Sequence, residues 1–309
     1  MIQESFLLQP IAPFRLDLTV WALRRRATNS IDQWNGTDYT RVLLIDDVPV
    51  KVAVSQPQQA PKPELLVNVM SAAPIECLSS RVGEVLRRML GLDIDLTGFY
   101  TLAKGDPTLS ALAQHFLGVK PPRFPNMFEA LLNAFACQQI TLDVGMLLLN
   151  RLTATYGITF DDGQTVCSAF PRPAEIATTS GENLRALGLS SQKARAMTEL
   201  ATALVHAQRD FSLLEGMNNE EASASLLPIR GVGRWTAEYV LLRGLGRIDM
   251  FPGDDVGAQN NLQRLFHLAE KPTYATIKAA TSAWQPYAGF VYFHLLLENL
   301  SKKGILLER

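Results

Sequence analysis

The decisive stretch of this sequence reads Leu227-Pro-Ile-Arg-Gly-Val-Gly-Arg-Trp-Thr-Ala-Glu-Tyr239, and Phe251-Pro-Gly-Asp-Asp255 follows it. One predicted helix ends near Leu227, and a second begins after Gly231-Val-Gly233. Glycines on either side of one apolar residue allow a tight turn with positive φ, and they let the backbone approach a ligand closely. The second helix then presents N–H groups and the positive end of its dipole. The pattern predicts a helical hairpin that binds a phosphate group.

A simpler interpretation is that the glycines only end one helix and start another. A bare Gly-x-Gly pattern favours that simpler interpretation, but two further features change the balance. Pro228 stops the first helix, and the small pair Thr236-Ala237 lets two helices cross closely. We therefore interpret the turn as a phosphate-binding hairpin.

Composition excludes several classes of protein. A chain of 309 residues, with 47% hydrophobic and 19% charged residues, is typical of a globular protein of one or two domains. Cys77, Cys137 and Cys167 show no Cys-x-x-Cys spacing, which argues against a cysteine-ligated zinc site or iron–sulfur cluster.

The N-terminal residues do not resemble an export signal, and no apolar run is long enough to span a bilayer. The net charge of −1 neither favours nor excludes a nucleic acid. We expect a cytoplasmic, nucleoid-associated protein.

The chain divides into a sheet-forming and a helical part. Two β-branched runs within Thr40–Ser55, separated by Asp46-Asp47, predict a β-hairpin, and Glu64–Met70 is a third strand candidate. Beyond the break at Pro121–Pro125 the strand signals vanish and helical periodicity dominates, beginning with one helix over Met127–Tyr156. We predict an α+β fold with a small antiparallel sheet domain and covering helix over residues 1–115, and an all-α, two-lobed domain over 116–309 with the hairpin at 228–233.

The hairpin and the loop after it resemble the helix-hairpin-helix DNA glycosylase superfamily. Its members carry Leu-Pro-x-x-Gly-Val-Gly-x-x-Thr-Ala followed by a loop aspartate. Within the superfamily, Gly233–Tyr239 and Phe251–Asp255 are similar to DNA-3-methyladenine glycosylase II, the AlkA type. Phe128–Thr141 is similar to the family's wedge-bearing helix, and the sheet-like first third matches its extra N-terminal domain by pattern. The resemblance implies a base-excision repair enzyme that flips a damaged base, expected to be an alkylated purine, out of duplex DNA, hydrolyses its N-glycosidic bond and leaves an abasic site.

The resemblance places the catalytic role on Asp255. Hydrolysis of an N-glycosidic bond builds positive charge on the sugar, and a fixed carboxylate stabilises that charge or activates the attacking water. Asp254 is then expected to be the N-cap of the helix that starts near Val256. Family members that also cleave the backbone carry a lysine nucleophile where this chain has Trp235. The resemblance therefore implies a monofunctional glycosylase without an organic or redox cofactor.

Aromatic side chains are expected to line the base pocket. Trp235 and Tyr239 are four residues apart on one helix face, and an electron-rich ring attracts a cationic alkylated purine. By resemblance, Trp21 fills the place of an N-terminal pocket aromatic. Leu296 stands where the AlkA type has a further tryptophan, which thins the aromatic pocket and leaves neutral deaminated or oxidised purines open as substrates.

The expected DNA contacts lie on two segments. By resemblance, Gln139 is the wedge that fills the hole left by the flipped nucleotide, and Gln138 lies beside it. The hairpin supplies Gly231, Val232, Gly233, Arg234 and Thr236. The backbone carbonyls of Leu227, Ile229 and Val232 correspond to positions that bind a structural monovalent or divalent cation in the family. The run Arg24-Arg25-Arg26 is interpreted as surface, whereas some of Arg230, Arg234, Arg243 and Arg247 are expected to face phosphates.

Two other functions stay open from the sequence. The first is a non-catalytic helix-hairpin-helix protein that only binds DNA, against which Asp255 argues. The second is a bifunctional glycosylase/lyase, against which Trp235 argues. For the favoured interpretation the expected partner is double-stranded DNA with damaged bases, bound by a monomer, with no membrane involved.

Overall fold

A computed structural model describes residues 1–57 and 62–306. An antiparallel five-stranded sheet with the strand order β1-β5-β4-β3-β2 forms the N-terminal part. Its strands are β1 (Ile2–Leu8), β2 (Gln33–Trp34), β3 (Asp38–Ile45), β4 (Val48–Ser55) and β5 (Leu65–Ser71).

The predicted β-hairpin is confirmed. Leu43 pairs with Val50 across β3 and β4, and Asp46 and Asp47 form the turn with φ of 49° and 63°. Side chains alternate along β4, so that every second residue is buried on one face. That face packs against α2 (Leu78–Leu90), whose buried positions include Leu86. The sheet with its covering helix therefore has a core of its own.

Helices make up most of the remaining chain, and none in the described part is long and apolar enough to span a bilayer. A π-helical turn over Leu241–Leu245 extends α11. Besides α2, the helices are α1 (Leu16–Arg24), α3 (Thr97–Ala103), α4 (Pro107–His115), α5 (Met127–Cys137), α6 (Leu142–Tyr156), α7 (Pro173–Ala177), α8 (Gly181–Ala186), α9 (Ser191–Val205), α10 (Asn219–Leu226), α11 (Arg234–Val240), α12 (Val256–Leu265), α13 (Tyr274–Thr281) and α14 (Ala288–Lys302).

Two hydrophobic cores divide the helices into lobes, as predicted. One core is formed by α5 to α11, and the other by α1, α3, α4 and α12 to α14. The cores do not divide at residue 115, where we predicted the domain boundary. The apolar faces of α3 and α4 pack against α14 rather than against the sheet, because Phe99 on α3 stacks edge-on against Phe290 on α14.

Two local predictions are wrong. The single helix expected over Met127–Tyr156 is interrupted between α5 and α6, where Gln138 adopts extended and Gln139 left-handed backbone angles. Strands also occur beyond residue 125, because β6 (Ile158–Asp161) pairs with β7 (Val166–Ala169). Phe160 and Ala169 on this short hairpin pack against Val42 of the sheet, which supplies the tertiary contact that the local sequence does not show.

Candidate active site

The hairpin between α10 and α11 contains two glycines with different backbone conformations. Gly231 has a φ of +82°, which favours glycine, whereas Gly233 has an ordinary φ of −105°. A Cβ on Gly231 would lie 3.1 Å from Cβ of Ala196 and 3.3 Å from the ring of Phe135. A Cβ on Gly233 would lie more than 4 Å from every heavy atom of the described residues, apart from those of Gly233 itself and its two chain neighbours. The expected positive φ is therefore confirmed for Gly231 only, and Gly233 leaves open space at the start of α11.

Asp255 lies at the N-terminus of α12 and faces α11. Its Oδ1 accepts the backbone N–H of Ala258 at 2.8 Å, so Asp255 is itself the N-cap of α12. Its Oδ2 accepts the indole N–H of Trp235 at 3.1 Å and lies 3.4 Å from the hydroxyl of Tyr292 on α14. The side chain is partly exposed, and both its oxygens are held by donors. This fixes the carboxylate between the two lobes.

Asp254 has a different place from the one expected. We predicted it as the N-cap, but Asp255 caps the helix and Asp254 accepts from Arg234 at 2.7 Å. The reason is geometric, because the residue directly before the first helical turn is the one whose side chain reaches the N–H three residues later. Arg234 is the first residue of α11, so this ion pair joins the hairpin to the aspartate loop.

Aromatic rings from both lobes surround this carboxylate. Trp235 and Tyr239 stack with ring centroids 5.2 Å apart and pack in the core of α5 to α11. Tyr292 belongs to the other core, and Leu296 lies one turn further along the same face of α14. Burial raises the pKa of the Tyr239 and Tyr292 hydroxyls, which therefore stay neutral. Tyr292 has no sequence signal of its own, and only its contact with Asp255 identifies it.

Arg25 is buried behind this aromatic pair, which contradicts its interpretation as a surface residue. Its guanidinium donates to the hydroxyl of Tyr239 at 2.9 Å and to Oδ1 of Asn133 at 2.6 Å. Burial acts to lower the pKa of Arg25, but its polar neighbours, Tyr239 foremost, raise it above the ordinary value, so the group stays charged. Arg25 caps the end of α1 one turn after Trp21, which packs against the second core.

Arg243 is fully buried, so it is not one of the arginines that face phosphates. It lies on the π-helical turn after α11, and its side chain donates to the carbonyls of Ala22 and Leu23. Its guanidinium carbon lies 5.7 Å from the ring centroid of Tyr239 and 5.1 Å from that of Phe124. Two buried cations, Arg25 and Arg243, therefore lie beside Tyr239.

The predicted wedge lies on the turn between α5 and α6. Gln139 is exposed and left-handed, whereas the amide nitrogen of Gln138 donates to the carbonyl of Gly231 and to the hydroxyl of Thr236, each at 2.7 Å. Lys193 on α9 donates to the carbonyls of Ala136 and Gln138. Gln138 therefore joins this turn to the hairpin, and Gln139 is the more exposed of the two glutamines.

The remaining predicted hairpin contacts differ in exposure. Arg234 is exposed, but the side chains of Val232 and Thr236 are buried, so that only their backbone could meet a phosphate. Within residues 1–57 and 62–306, His, Cys, Asp and Glu side chains nowhere gather in a group of three that could hold a metal ion. The carbonyls of Leu227, Ile229 and Val232 lie on the same turn, and that of Ile229 already accepts the N–H of Val232 at 3.0 Å.

The part of the chain that carries the hairpin and the aspartate loop matches a known protein family. Residues 132–286 match the family described as HhH-GPD superfamily base excision DNA repair protein. The chain therefore belongs to the HhH-GPD superfamily of base excision DNA repair proteins, and the predicted resemblance is confirmed. Over 284 residues it is 27% identical to the DNA-3-methyladenine glycosylase of Bacillus subtilis, covering 91% of this chain and 93% of that protein.

Solved structures show the same fold. The 3-methyladenine DNA-glycosylase of Archaeoglobus fulgidus superposes with a TM-score of 0.81 at 23% identity, covering 98% of this chain and 100% of that one. The 3-methyladenine DNA glycosylase of Schizosaccharomyces pombe, solved in complex with abasic DNA, superposes with a TM-score of 0.58 at 26% identity. That match covers 69% of this chain and 100% of the yeast protein, so it leaves about a third of this chain unmatched.

Proposed function

We propose that this protein is a monofunctional DNA glycosylase that hydrolyses the N-glycosidic bond of alkylated purines in duplex DNA. The observation that carries the proposal is the position of Asp255, which Trp235 holds at the junction of the two lobes, while the neighbouring Asp254 joins the loop to the hairpin through Arg234. The similarity to the Bacillus DNA-3-methyladenine glycosylase supports alkylated purines as the substrate class.

The carboxylate of Asp255 is suited to electrostatic catalysis. As the bond to the base lengthens, positive charge develops on C1′ and the ring oxygen of the deoxyribose. A carboxylate fixed in advance stabilises that charge without the cost of reorienting solvent, and it can orient a water molecule for attack on C1′. The N-terminus of α12 stabilises negative charge on the same group, so Asp255 is pre-organised for this role.

The aromatic side chains beside Asp255 favour a flat base, and the charged groups near them bear on which kind of base is bound. An alkylated purine carries positive charge, and stacking it on Trp235 gains about 0.5–2 kcal/mol of cation–π energy. The buried guanidinium of Arg25, bonded to Tyr239 on the far side, instead favours a neutral base that departs with negative charge. This observation supports deaminated or oxidised purines as a second candidate substrate class.

One experiment tests the proposal and separates its rivals. Single-turnover reactions use duplexes that contain 7-methylguanine, hypoxanthine or 8-oxoguanine, each analysed with and without alkali. Release of 7-methylguanine with strand breaks only after alkali supports the proposal, and faster release of hypoxanthine or 8-oxoguanine supports the second substrate class. Breaks without alkali would reveal a lyase, which Trp235 in place of lysine argues against. Tight duplex binding with no base release would leave a non-catalytic DNA-binding protein.

The two hairpin glycines should respond differently to substitution. Gly233→Ala is expected to leave the melting temperature unchanged, because the new methyl group meets open space. It should weaken duplex binding about tenfold, because it keeps a phosphate from the N–H groups at the start of α11. Gly231→Ala should lower the melting temperature, because φ is +82° and Ala196 and Phe135 crowd the new methyl group. Equal DNA affinity of Gly233→Ala and wild type would contradict phosphate binding here.

The wedge role predicts an effect that depends on the duplex. Gln139→Ala should slow base release from a lesion in duplex DNA about tenfold, because nothing fills the hole left by the flipped nucleotide. The same lesion in single-stranded DNA leaves no such hole, so there the variant and the wild type should react at equal rates. Rates that fall equally on both substrates would show that Gln139 acts elsewhere.

The remaining parts of the proposal concern partners. We propose a monomer that acts on damaged duplex DNA in the cytoplasm, at the nucleoid, without an organic or redox cofactor. A structural monovalent or divalent cation would be held by the backbone carbonyls of Leu227, Ile229 and Val232. The carbonyl oxygen of Ile229 accepts the N–H of Val232, and its second lone pair would bind the ion. Such a cation would help to bind a DNA phosphate at the hairpin.

A further inference from the structure

Glu238 on α11 carries a buried carboxylate that takes part in no step described so far. Its side chain contacts the loop before α12. Oε2 accepts the backbone N–H of Gly253 at 3.1 Å, and Oε1 accepts the hydroxyl of Tyr274 at 2.5 Å. Burial raises the pKa of Glu238, while these two hydrogen bonds oppose the rise. A buried acid is costly unless its oxygens are bound, and here both are.

The loop Pro252–Asp255 is held from a second side by Tyr274 on α13. Gly253 packs so closely on this ring that a Cβ would lie 2.8 Å from Cδ2. The guanidinium carbon of Arg234 lies 3.8 Å from the centroid of the same ring. Together with the Arg234–Asp254 ion pair, these contacts enclose the loop between α11 and α13.

Hydrogen bonds of the loop backbone connect the restrained Gly253 to Asp255. The N–H of Asp255 donates to the carbonyl of Pro252 at 3.0 Å, and the carbonyl of Gly253 accepts from the side chain of Gln259 on α12. Gly253 lies two residues before Asp255, so a shift of its N–H moves the carboxylate as well. A displacement of about 1 Å at a reacting centre can cost about 100-fold in rate.

We infer that Glu238 is a positioning residue, which holds Gly253 and Tyr274 so that the carboxylate of Asp255 faces the sugar of the flipped nucleotide. The inference rests on the proposed function, because it assigns Glu238 a part in the same reaction. Glu238 touches neither the DNA nor the reacting atoms in this account and acts through the loop alone. Trp235, one turn earlier on the same helix, donates to Asp255, so α11 contacts both the carboxylate and the loop that precedes it.

The test compares Glu238→Ala with Glu238→Gln in the full chain. Glu238→Ala should slow single-turnover base release about 10- to 100-fold, the range typical of residues that orient a functional group. Glu238→Gln should stay within about threefold of wild type, because its amide oxygen still accepts from Gly253 and its amide N–H can donate to Tyr274. Glu175→Ala, which removes a half-buried carboxylate that caps α7 and pairs with Arg172, is the matched control and should keep the wild-type rate.

A binding measurement separates positioning from mere loss of stability. Wild type should bind a duplex with a cationic pyrrolidine abasic analogue more tightly than one with neutral tetrahydrofuran, because Asp255 faces the positive charge. Glu238→Ala should lose most of that preference and keep its affinity for the tetrahydrofuran duplex. A wild type without the preference would refute the proposed role of Asp255 itself. A wild-type preference that Glu238→Ala retains, or a Glu238→Gln as slow as Glu238→Ala, would overturn the inference about Glu238.

Discussion

Asp255→Asn is expected to release damaged bases about 100- to 1000-fold more slowly than wild type, the loss typical when a pre-organised electrostatic group is neutralised. The amide keeps the shape of the side chain but removes the negative charge that stabilises the developing cation on the sugar. Because asparagine caps helices as well as aspartate does, the bond to the N–H of Ala258 survives, whereas the amide NH2 group cannot accept from Trp235. The variant should therefore lose no more than the one hydrogen bond, about 1 kcal/mol, and stay folded. Single-turnover rates and thermal unfolding of the purified variant measure the two effects.

Asp254→Asn is the matched control for this prediction. It removes the same charge from the neighbouring residue, whose carboxylate pairs with Arg234 and has no part in capping α12. The asparagine amide oxygen still accepts from Arg234, so the loop keeps this contact, and a partly exposed ion pair contributes little to stability; a small change in rate and melting temperature is therefore expected. If the two variants lost activity equally, the assignment of the catalytic role to Asp255 would be contradicted.

The largest loss of stability is expected for Arg41→Met. Arg41 on β3 is buried and donates to Oδ1 of Asp32 at 2.7 Å and to both oxygens of Glu129 on α5 at 2.6 Å. Without the arginine two carboxylates are left buried and uncompensated, which should lower the free energy of unfolding by about 3–5 kcal/mol. Denaturant unfolding followed by circular dichroism measures the change.

An exposed arginine serves as the control for Arg41. Arg195 pairs with Glu199 one turn away on α9, and both side chains are largely exposed. Arg195→Met should cost less than about 1 kcal/mol, as surface ion pairs usually do. A loss for Arg41→Met as small as that for Arg195→Met would show that the sheet and α5 are not held together by this buried cluster.

The parts of the site that could be predicted from sequence are local in the chain. The hairpin and Asp255 lie within one stretch of about thirty residues whose glycines, proline and acids have fixed meanings for backbone geometry. The β-hairpin at Asp46-Asp47 was predictable for the same reason, because turn residues separate two β-branched runs. Which of Asp254 and Asp255 caps α12 could not be predicted, because either aspartate can cap a helix. A shift of the helix start by one residue decides which of them does.

The buried polar residues could not be predicted, because their partners come from distant parts of the chain. Arg25 lies in a run of three arginines that is typical of a surface, yet it contacts Tyr239, 214 residues away. Arg243 lies on a π-helical turn, and its partners are the carbonyls of Ala22 and Leu23, more than 200 residues earlier in the chain. In the sequence Glu238 is indistinguishable from an ordinary helix residue, and only its contacts with Gly253 and Tyr274 in the structure identify it.

The central claim is that the hairpin binds the DNA backbone while Asp255 faces C1′ of an extruded nucleotide. A crystal structure of the protein with a duplex that contains the tetrahydrofuran abasic analogue tests it most directly. The account predicts a phosphate on the N–H groups at Gly233 and Arg234, and a carboxylate oxygen of Asp255 within about 4 Å of the analogue's C1′ position. A complex in which the DNA binds another face, or in which Asp255 points away from the extruded sugar, would contradict it.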